Sequence, residues 1–403
     1  MFCGTCGARI PDGSTFCPHC GARTVAASAP GPAHAAPRQA PGGAVGWAAG
    51  KINEMAGGSD QVELRFGNFF DAVFRRHSPG EADVLFSVGG PTTTPPIARV
   101  SRTWPHPWIY SRVFLVLLVA FVGLWILSSY FENPNGLPGL MFVGALLVPF
   151  SVTVFFFETN VPRNLGFARV IEIFFVGGVL SLLCIYPLDA LLPGSGVGDF
   201  GPALLTGIIE ELAKVAAIVV FVKRIGERNY VLTGLLVGAA VGAGFAAFET
   251  AGYIFNQGFL GGLGFTWDRM LDSMMDVTLL RAVLAIGGHV VWAAAECGAL
   301  ALADRGTGFS LSHLASRPFL VFLGISILLH ALWDTYPLPL LDDVEIWDGV
   351  TLKYVLLIVI AWMAIAVLLH RGINEVNQLS AAALRAQREA PREPGAAPHP
   401  PRV

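Results

Sequence analysis

The chain has unusually little charge. Only 14% of its 403 residues are charged, whereas soluble globular domains carry about 25%. Hydrophobic residues make up 54% and occur in runs long enough to cross a bilayer. This composition excludes an ordinary soluble domain, and because the chain lacks a basic patch we expect no nucleic-acid partner. We therefore predict an all-α polytopic protein that is integral to a lipid bilayer.

Cysteine is also scarce, and four of the six cysteines lie in the first twenty residues. Two Cys-x-x-Cys pairs separated by ten residues suit a tetrahedral zinc site. Cys3, Cys6, Cys17 and Cys20 are thus predicted to hold a structural zinc ion in a ribbon over residues 1–24. The metal would supply the folding free energy of so short a segment. The alternative, two disulfides, would require an oxidising compartment.

The next part of the chain is expected to connect the ribbon to the membrane. Residues 25–60 are rich in alanine, proline and glycine and are predicted to form a disordered linker. Residues 61–110 are predicted to form two short amphipathic helices close to the membrane surface. The second of these has a clear start signal, with Ser78 as cap, Pro79 in the first turn and Glu81 three residues after the cap.

A transmembrane domain is predicted over residues 111–372, followed by a polar and proline-rich tail over 373–403. Eight apolar segments are long enough to span, at 113–131, 138–158, 167–187, 201–222, 231–256, 279–303, 318–336 and 349–370. Lysine and arginine collect in alternate connections, and only Arg269 departs from this pattern. The positive-inside rule then predicts two cytoplasmic termini. Because the ribbon resembles the small zinc-ribbon modules that open many bacterial membrane proteins, the expected membrane is a bacterial plasma membrane. A cytoplasmic ribbon would have reduced thiols and could bind a cytoplasmic partner.

The segment 201–222 is unusual because Glu210, Glu211 and Lys214 lie near its middle. One such group at the centre of a membrane helix costs roughly 2.5–3.5 kcal/mol on insertion scales. Ionisable residues within spans are typical of functional sites. The structural alternative is that Glu210 and Lys214, four residues apart, only neutralise each other.

Three other spans carry an acid or a histidine at a similar depth in the outer half of the membrane: Glu249, His289 and His330. Each has a simpler interpretation when taken alone. A lone histidine more often bonds a backbone carbonyl, and Glu249 could lie at the end of its helix. Asp334 could only orient His330, and Arg281 could be an interfacial anchor. Together, the residues on four spans favour a site.

The chemistry open to such a cluster is restricted. Imidazoles and carboxylates bind zinc, and a coordination position left to water makes a hydrolytic centre. His289 and His330 are the candidate ligands of a catalytic metal, and a glutamate beside the water could act as general base. Alternatively, glutamate and histidine could activate water without a metal. Gly238, Gly242 and Gly244 are expected to let the fifth span approach its neighbours closely.

At these residues the sequence resembles the PrsW intramembrane proteases, a branch of the superfamily that contains the CAAX prenyl proteases and bacteriocin-immunity-type membrane proteins. The resemblance covers roughly residues 105–372. Its motifs occur in order as EELAK at 210–214, GAGFAAFE at 242–249, Arg281 with GGHVVWAAAECG at 287–298, and HALWD at 330–334.

The resemblance implies an intramembrane endopeptidase. The expected substrate is a membrane-anchored regulatory protein of the anti-sigma-factor type, cut near the extracytoplasmic face. The resemblance also implies a set of site residues: Glu210, Glu211, Glu249, His289 and His330 as catalytic residues, with Lys214, Arg281 and Asp334 as supporting groups. A metallopeptidase is expected, and a glutamate-type protease is the alternative.

Two non-enzymatic hypotheses use the same buried groups. In the first, the chain is a transporter in which acids and histidines relay protons. In the second, the chain is a catalytically silent scaffold whose zinc ribbon recruits a cytoplasmic partner. The absence of an internal repeat between the halves of the membrane domain speaks against the transporter.

Overall fold

A computed structural model describes residues 44–60, 62, 66–90, 92–100, 103–225, 229–261 and 266–389. The four ribbon cysteines and residues 25–43 of the predicted linker lie outside the described residues. The last part of the predicted tail, 390–403, also lies outside them.

Most of the described residues are helical and very few are in strands, which confirms the all-α class. The α-helices are α1 Ala44–Met55, α2 Pro79–Phe86, α3 Ile109–Ser129, α4 Leu137–Thr159, α5 Phe167–Glu172, α6 Gly178–Leu191, α7 Phe200–Ile225, α8 Val231–Tyr253, α9 Trp267–Leu284, α10 His289–Asp304, α11 Arg317–Asp334 and α12 Leu352–Glu389. In the described part of the chain the strands form one antiparallel hairpin, β1 Glu345–Trp347 and β2 Val350–Thr351.

Seven helical stretches among the described residues are long and apolar enough to cross a membrane. They run over Ile109–Ser129, Pro134–Thr159, Phe167–Leu191, Val231–Leu260, Trp267–Asp304, Arg317–Asp334 and Leu352–Glu389. The remaining predicted span, 201–222, is the helix α7, whose three central charged residues set it apart from the apolar stretches. The expectation of about eight membrane helices therefore agrees with the structure.

The sixth predicted span, 279–303, differs from its prediction. It is not one helix: α9 ends at Leu284, a 3-10 turn follows over Ala285–Gly287, and α10 begins at His289. Gly288 between them has φ −94° and ψ −139°, so the backbone leaves the helical region there. His289 consequently lies at the first residue of a helix rather than in the middle of one. Breaks of this kind are tolerated at membrane depth where protein surrounds them.

The helix α8 forms the centre of the membrane domain, and nearly all of its residues are buried. Its glycines allow backbone to pack directly on backbone, as predicted. A methyl group added at Gly238 would meet the Ala293 carbonyl, and one at Gly242 would meet the His289 carbonyl. One at Gly244 would meet the Phe174 carbonyl. The small side chains of α8 thus set how closely α10 approaches it.

We expect Gly242→Ala to displace α10 and to destabilise the protein. The added methyl group would overlap the His289 carbonyl oxygen, and overpacking of this kind costs about 1–3 kcal/mol. Gly252→Ala is the matched control, because nothing lies within 4 Å of a Cβ at that position of the same helix. Thermal unfolding in detergent would measure both variants. Equal melting temperatures for the two would contradict the close packing of α8 on α10.

The region before the first span is folded against the membrane domain. The second predicted amphipathic helix is α2, and Ser78 with Glu81 forms its capping box. The first is only a 3-10 turn, Phe66–Phe69, among the described residues. Phe69 is buried between Trp104 and Phe155, with ring centroids 6.0 Å and 5.1 Å away.

Part of the predicted disordered linker is also ordered. Helix α1 lies within residues 25–60, and Ala49 and Ile52 on it are buried. Arg371 of α12 donates from Nε to Asn53 Oδ1 at 2.6 Å and from a guanidinium nitrogen to the Asn53 carbonyl at 2.7 Å. The alanine-rich composition that suggested a linker also suits a helix, and packing on α12 decides between the two. The helix α12 itself continues into the predicted tail as far as Glu389.

Candidate active site

The charged residues of α7 are paired deep inside the protein. The side chains of Glu211 and Lys214 have zero exposure, and Lys214 Nζ donates to Glu211 Oε1 at 2.7 Å. The lysine therefore pairs with Glu211 and not with Glu210, the pairing considered as the structural alternative. A buried charge needs such a partner, because an unpaired one costs several kcal/mol, roughly. Glu210 remains outside this pair, with 14% of its side chain exposed.

His289 at the start of α10 is held from both sides. Lys214 Nζ lies 2.9 Å from its Nδ1, and Glu249 Oε2 on α8 lies 3.2 Å from its Nε2. An ammonium group has only donors, so Nδ1 accepts and Nε2 carries the proton donated to Glu249. Binding of an ion to His289 would replace one of these two hydrogen bonds.

His330 on α11 is surrounded by carboxylates. Its Nδ1 lies 2.5 Å from Glu211 Oε1, and its Nε2 lies 3.3 Å from Asp334 Oδ2 and 3.5 Å from Glu210 Oε2. When Nδ1 donates to Glu211, Nε2 faces two carboxylate oxygens. Such a nitrogen needs a proton or a cation between it and those oxygens. The imidazole is thus oriented by Glu211 in the way that carboxylates orient metal-binding histidines.

Arg281 contacts the site and is not an isolated interfacial anchor. Its guanidinium forms an ion pair with Glu249, and its Nε donates to Thr250 Oγ1 at 3.0 Å. The group also lies 4.0 Å from the centroid of the Tyr253 ring. Arg281 therefore holds the carboxylate that in turn contacts His289.

Three predicted residues are close enough together to hold a metal ion. Ligand atoms of Glu210, His289 and His330 all lie within 4.8 Å of one another. Two imidazoles and a carboxylate form a donor set that zinc accepts. Glu210 Oε2 is buried and has no hydrogen-bond partner among the described residues, as expected for an atom available to an ion or to a substrate. The residues present fit zinc.

Two residues near the cluster were not assigned from the sequence. Trp292 is buried, and its ring centroid lies 5.2 Å from that of His289 and 4.8 Å from that of His330. Its position three residues after His289 on the same helix was the signal that could have predicted this contact. Glu296 is fully buried, and neither of its carboxyl oxygens has a hydrogen-bond partner among the described residues.

Comparison with protein families identifies the family of the membrane domain that contains these residues. Residues 162–367, about half of the chain, match the model of the PrsW family of intramembrane metalloproteases. The chain belongs to the PrsW family. The match includes α7, α8, α10 and α11, the four helices that carry Glu210, Glu249, His289 and His330.

Membership of the PrsW family makes the chain a membrane-integral protease, and the substrate of such an enzyme is a membrane protein. Residues 2–24 match a zinc-ribbon domain, as the cysteine spacing predicted. Searches of curated proteins and of solved structures gave no match. The roles of individual residues in this PrsW-family chain therefore depend on the geometry of the cluster.

Proposed function

We propose that the chain is an intramembrane endopeptidase that cuts a membrane-anchored regulatory protein, of the anti-sigma-factor type, near the extracytoplasmic face. The observation that supports this most directly is the convergence of Glu210, His289 and His330 from three helices on one point within the membrane domain. Amide hydrolysis needs a water activator and a group that stabilises the developing oxyanion. The cluster contains candidates for both.

Glu210 is proposed as the general base. Of the two adjacent glutamates, Glu211 is fully buried and accepts hydrogen bonds from both Lys214 and His330. Glu210 has no such bonds to its Oε2, is partly exposed, and faces His330. A carboxylate that is free and reachable can take a proton from water, whereas one with two strong donors cannot do so cheaply. Glu211 and Lys214 are positioning residues in this proposal.

His289 and His330 are proposed to hold a catalytic zinc ion. A zinc ion bound there would act as a Lewis acid on the scissile carbonyl. Glu211 orients His330 through Nδ1, and Glu249, which is paired with Arg281, contacts His289 at Nε2. Asp334 lies beside His330 Nε2, the nitrogen that the ion would take, and supports the site from there. Trp292 is buried against both imidazoles, where it would help to fix their rings.

The depth of the cluster supports a cut in the outer half of the membrane. At 1.5 Å per residue, Glu210 lies about 22 Å from the C-terminal end of α7. On the same basis His289 lies about 22 Å from the C-terminal end of α10, and His330 about 20 Å from the N-terminal end of α11. A hydrocarbon core is about 30 Å thick, so all three residues lie nearer to the opposite face.

The helix ends from which these distances are counted carry the basic residues. Lys223 and Arg224 end α7, Arg305 follows α10, and Arg317 begins α11. The positive-inside rule assigns these ends to the cytoplasm. We therefore propose cytoplasmic termini in a bacterial plasma membrane and an extracytoplasmic position for the cut. The ribbon would then be placed to bind a cytoplasmic partner.

Mapping of new N-termini in cell membranes tests this function. Membranes from cells that express the wild-type chain would be compared with membranes containing Glu210→Gln, and peptides with new N-termini would be identified by mass spectrometry. We expect termini within the outer half of the membrane segments of single-pass proteins, in the wild type alone. Identical peptide sets, or termini confined to the cytoplasmic half, would contradict the proposal.

A further inference from the structure

A short segment before the first span is fixed rigidly at the start of α3. Tyr110 Oη donates to the Phe69 carbonyl at 3.0 Å, and a guanidinium nitrogen of Arg112 donates to the Val73 carbonyl at 2.9 Å. The His77 ring stacks on Trp108, with centroids 3.8 Å apart and planes 2° apart. These contacts join residues 69–77 to the membrane domain at the level where α3 begins.

An open groove lies between this segment and the start of α3. Its volume is about 560 Å³, and Arg75, Arg76, Arg112, His77 and Trp108 are among the residues that line it. The imidazole of His77 is held by the Ala72 carbonyl and by Glu81, each at 2.9 Å. His77 is therefore fixed by its own partners and is not the group that would bind a ligand in the groove.

The groove carries uncompensated positive charge. Arg75 and Arg76 are both exposed, and among the described residues neither guanidinium has an ion-pair partner. Two acids close in sequence are engaged elsewhere: Glu81 by His77 and by the backbone and hydroxyl of Ser78, and Asp71 by His106. Two neighbouring guanidiniums without acids favour the binding of an anion with several oxygen acceptors, such as a phosphate.

The backbone N–H groups at the start of α3 are not available to bind an anion in the groove. The N–H groups of Trp108, Ile109 and Tyr110 donate to the buried carboxylate of Glu158, at 2.8 Å, 2.9 Å and 2.8 Å. Those donors are already satisfied. An anion in the groove would therefore be held by guanidinium side chains.

An exposed aromatic ring, Phe74, lines the groove, and a second exposed ring, Phe70, precedes it by four residues. Phe74 is 92% exposed and Phe70 is 59% exposed. Two phenylalanines on the surface of a water-soluble domain would be costly, but at the start of a membrane helix they can enter the interfacial layer of the bilayer. Arginine beside aromatic residues at this level is the arrangement that binds anionic lipid surfaces.

We propose that this groove is a binding site for the phosphate of an anionic phospholipid in the leaflet where α3 begins. Arg75 and Arg76 bind the phosphate, and Phe70 and Phe74 lie among the lipid chains next to it. A free phosphate ion shares the headgroup chemistry but would make no use of the two phenylalanines. The lipid is therefore the occupant that the whole surface fits.

The test uses the full chain in phosphatidylcholine nanodiscs that contain a minor share of spin-labelled phosphatidylglycerol. Electron paramagnetic resonance then measures the fraction of labelled lipid that is immobilised by the protein. We expect a clear preference for phosphatidylglycerol over spin-labelled phosphatidylcholine in the wild type. In Arg75→Gln/Arg76→Gln the relative affinity should fall by up to roughly thirtyfold, since two basic residues contribute about 1 kcal/mol each.

Arg385→Gln/Arg388→Gln is the matched control, because it removes the same charge from two exposed positions at the end of α12. It should keep the wild-type preference. A second variant, Phe74→Ser, should weaken lipid binding while both arginines remain. Circular dichroism would verify that each variant is folded.

Three results would overturn the proposal. One is a wild type without preference for phosphatidylglycerol, and another is an equal loss in the matched control. The third is displacement of the labelled lipid by inorganic phosphate at equal concentration, which would assign the groove to a free anion. Proteolysis is not the readout, so the outcome is independent of the proposed function.

Discussion

Glu210→Gln is expected to reduce proteolysis by a factor of roughly 10²–10⁴, the range that a positioned general base contributes. Glutamine keeps the size and the hydrogen-bonding capacity of the side chain but cannot accept the proton of the attacking water. The partly exposed position of Glu210 means that the substitution leaves the buried Glu211–Lys214 pair intact. The loss should therefore appear in the rate and not in the folding.

The measurement is cleavage of a single-pass membrane substrate identified by the mapping of new N-termini. Glu172→Gln is the matched control, since that carboxylate lies on α5 and pairs only with Arg169 among the described residues. It should cleave at the wild-type rate. If Glu210→Gln lost its membrane-site zinc together with activity, Glu210 would be a ligand and the base would have to be sought elsewhere. If it kept full activity, the assignment of the base would be wrong.

His330→Ala is expected to remove the catalytic zinc ion. The full chain should bind close to two zinc ions, one in the ribbon and one at the cluster. His330→Ala should bind close to one, and His289→Ala should behave in the same way. The physical reason is that loss of one imidazole leaves too few strong donors to compete with water, while Glu211 loses the ring that it orients.

The ribbon provides the internal control for the zinc count. A Cys3→Ser/Cys6→Ser variant should lose only the structural ion and should keep proteolysis in membranes. Atomic absorption on purified protein gives the count, and gel filtration verifies that each variant is intact. A ribbon variant that is folded and active but binds no zinc would contradict a catalytic metal. In that case Glu210 and the two histidines would act on water directly.

The sequence singled out the candidate site residues because ionisable residues are conspicuous in apolar spans. Glu210, Glu249, His289 and His330 stand out against segments that otherwise contain almost no charge. Helical rise then placed them at a common depth, and the structure brings Glu210, His289 and His330 together, with Glu249 beside His289. A common depth was necessary for this convergence but could not establish it, because residues at one depth meet only where their helices are neighbours.

The pairing within the cluster could not be predicted in this way. Spacing along α7 allowed Lys214 to pair with Glu210 or with Glu211, and both pairs are compatible with a helix. His289 and His330 approach from two other helices and decide the question, since Lys214 also donates to His289 and Glu211 also accepts from His330. The difference between a buried Glu211 and an accessible Glu210 therefore follows from the packing of three helices.

The helix break before His289 also could not be predicted from the hydropathy of the sequence. The apolar run continues across residues 279–303, and hydropathy alone does not register a change of backbone direction. Gly287 and Gly288 lie at the break between α9 and α10, but two glycines do not by themselves predict a break, because glycine is frequent in intact membrane helices. In the structure α8 approaches α10 closely at the residue where α10 begins, because Gly242 packs on the His289 carbonyl.

The sequence by itself determined the class of this protein: a polytopic helical membrane protein with a zinc ribbon, and a set of acids and histidines at one depth. Low charge, long apolar runs and cysteine spacing are local properties, so they can be read without a fold. Only the tertiary structure decided which glutamate is paired with Lys214, how each imidazole is oriented, and that Arg75 and Arg76 have no ion-pair partner among the described residues. Those properties depend on contacts between residues far apart in the chain, and packing alone establishes such contacts.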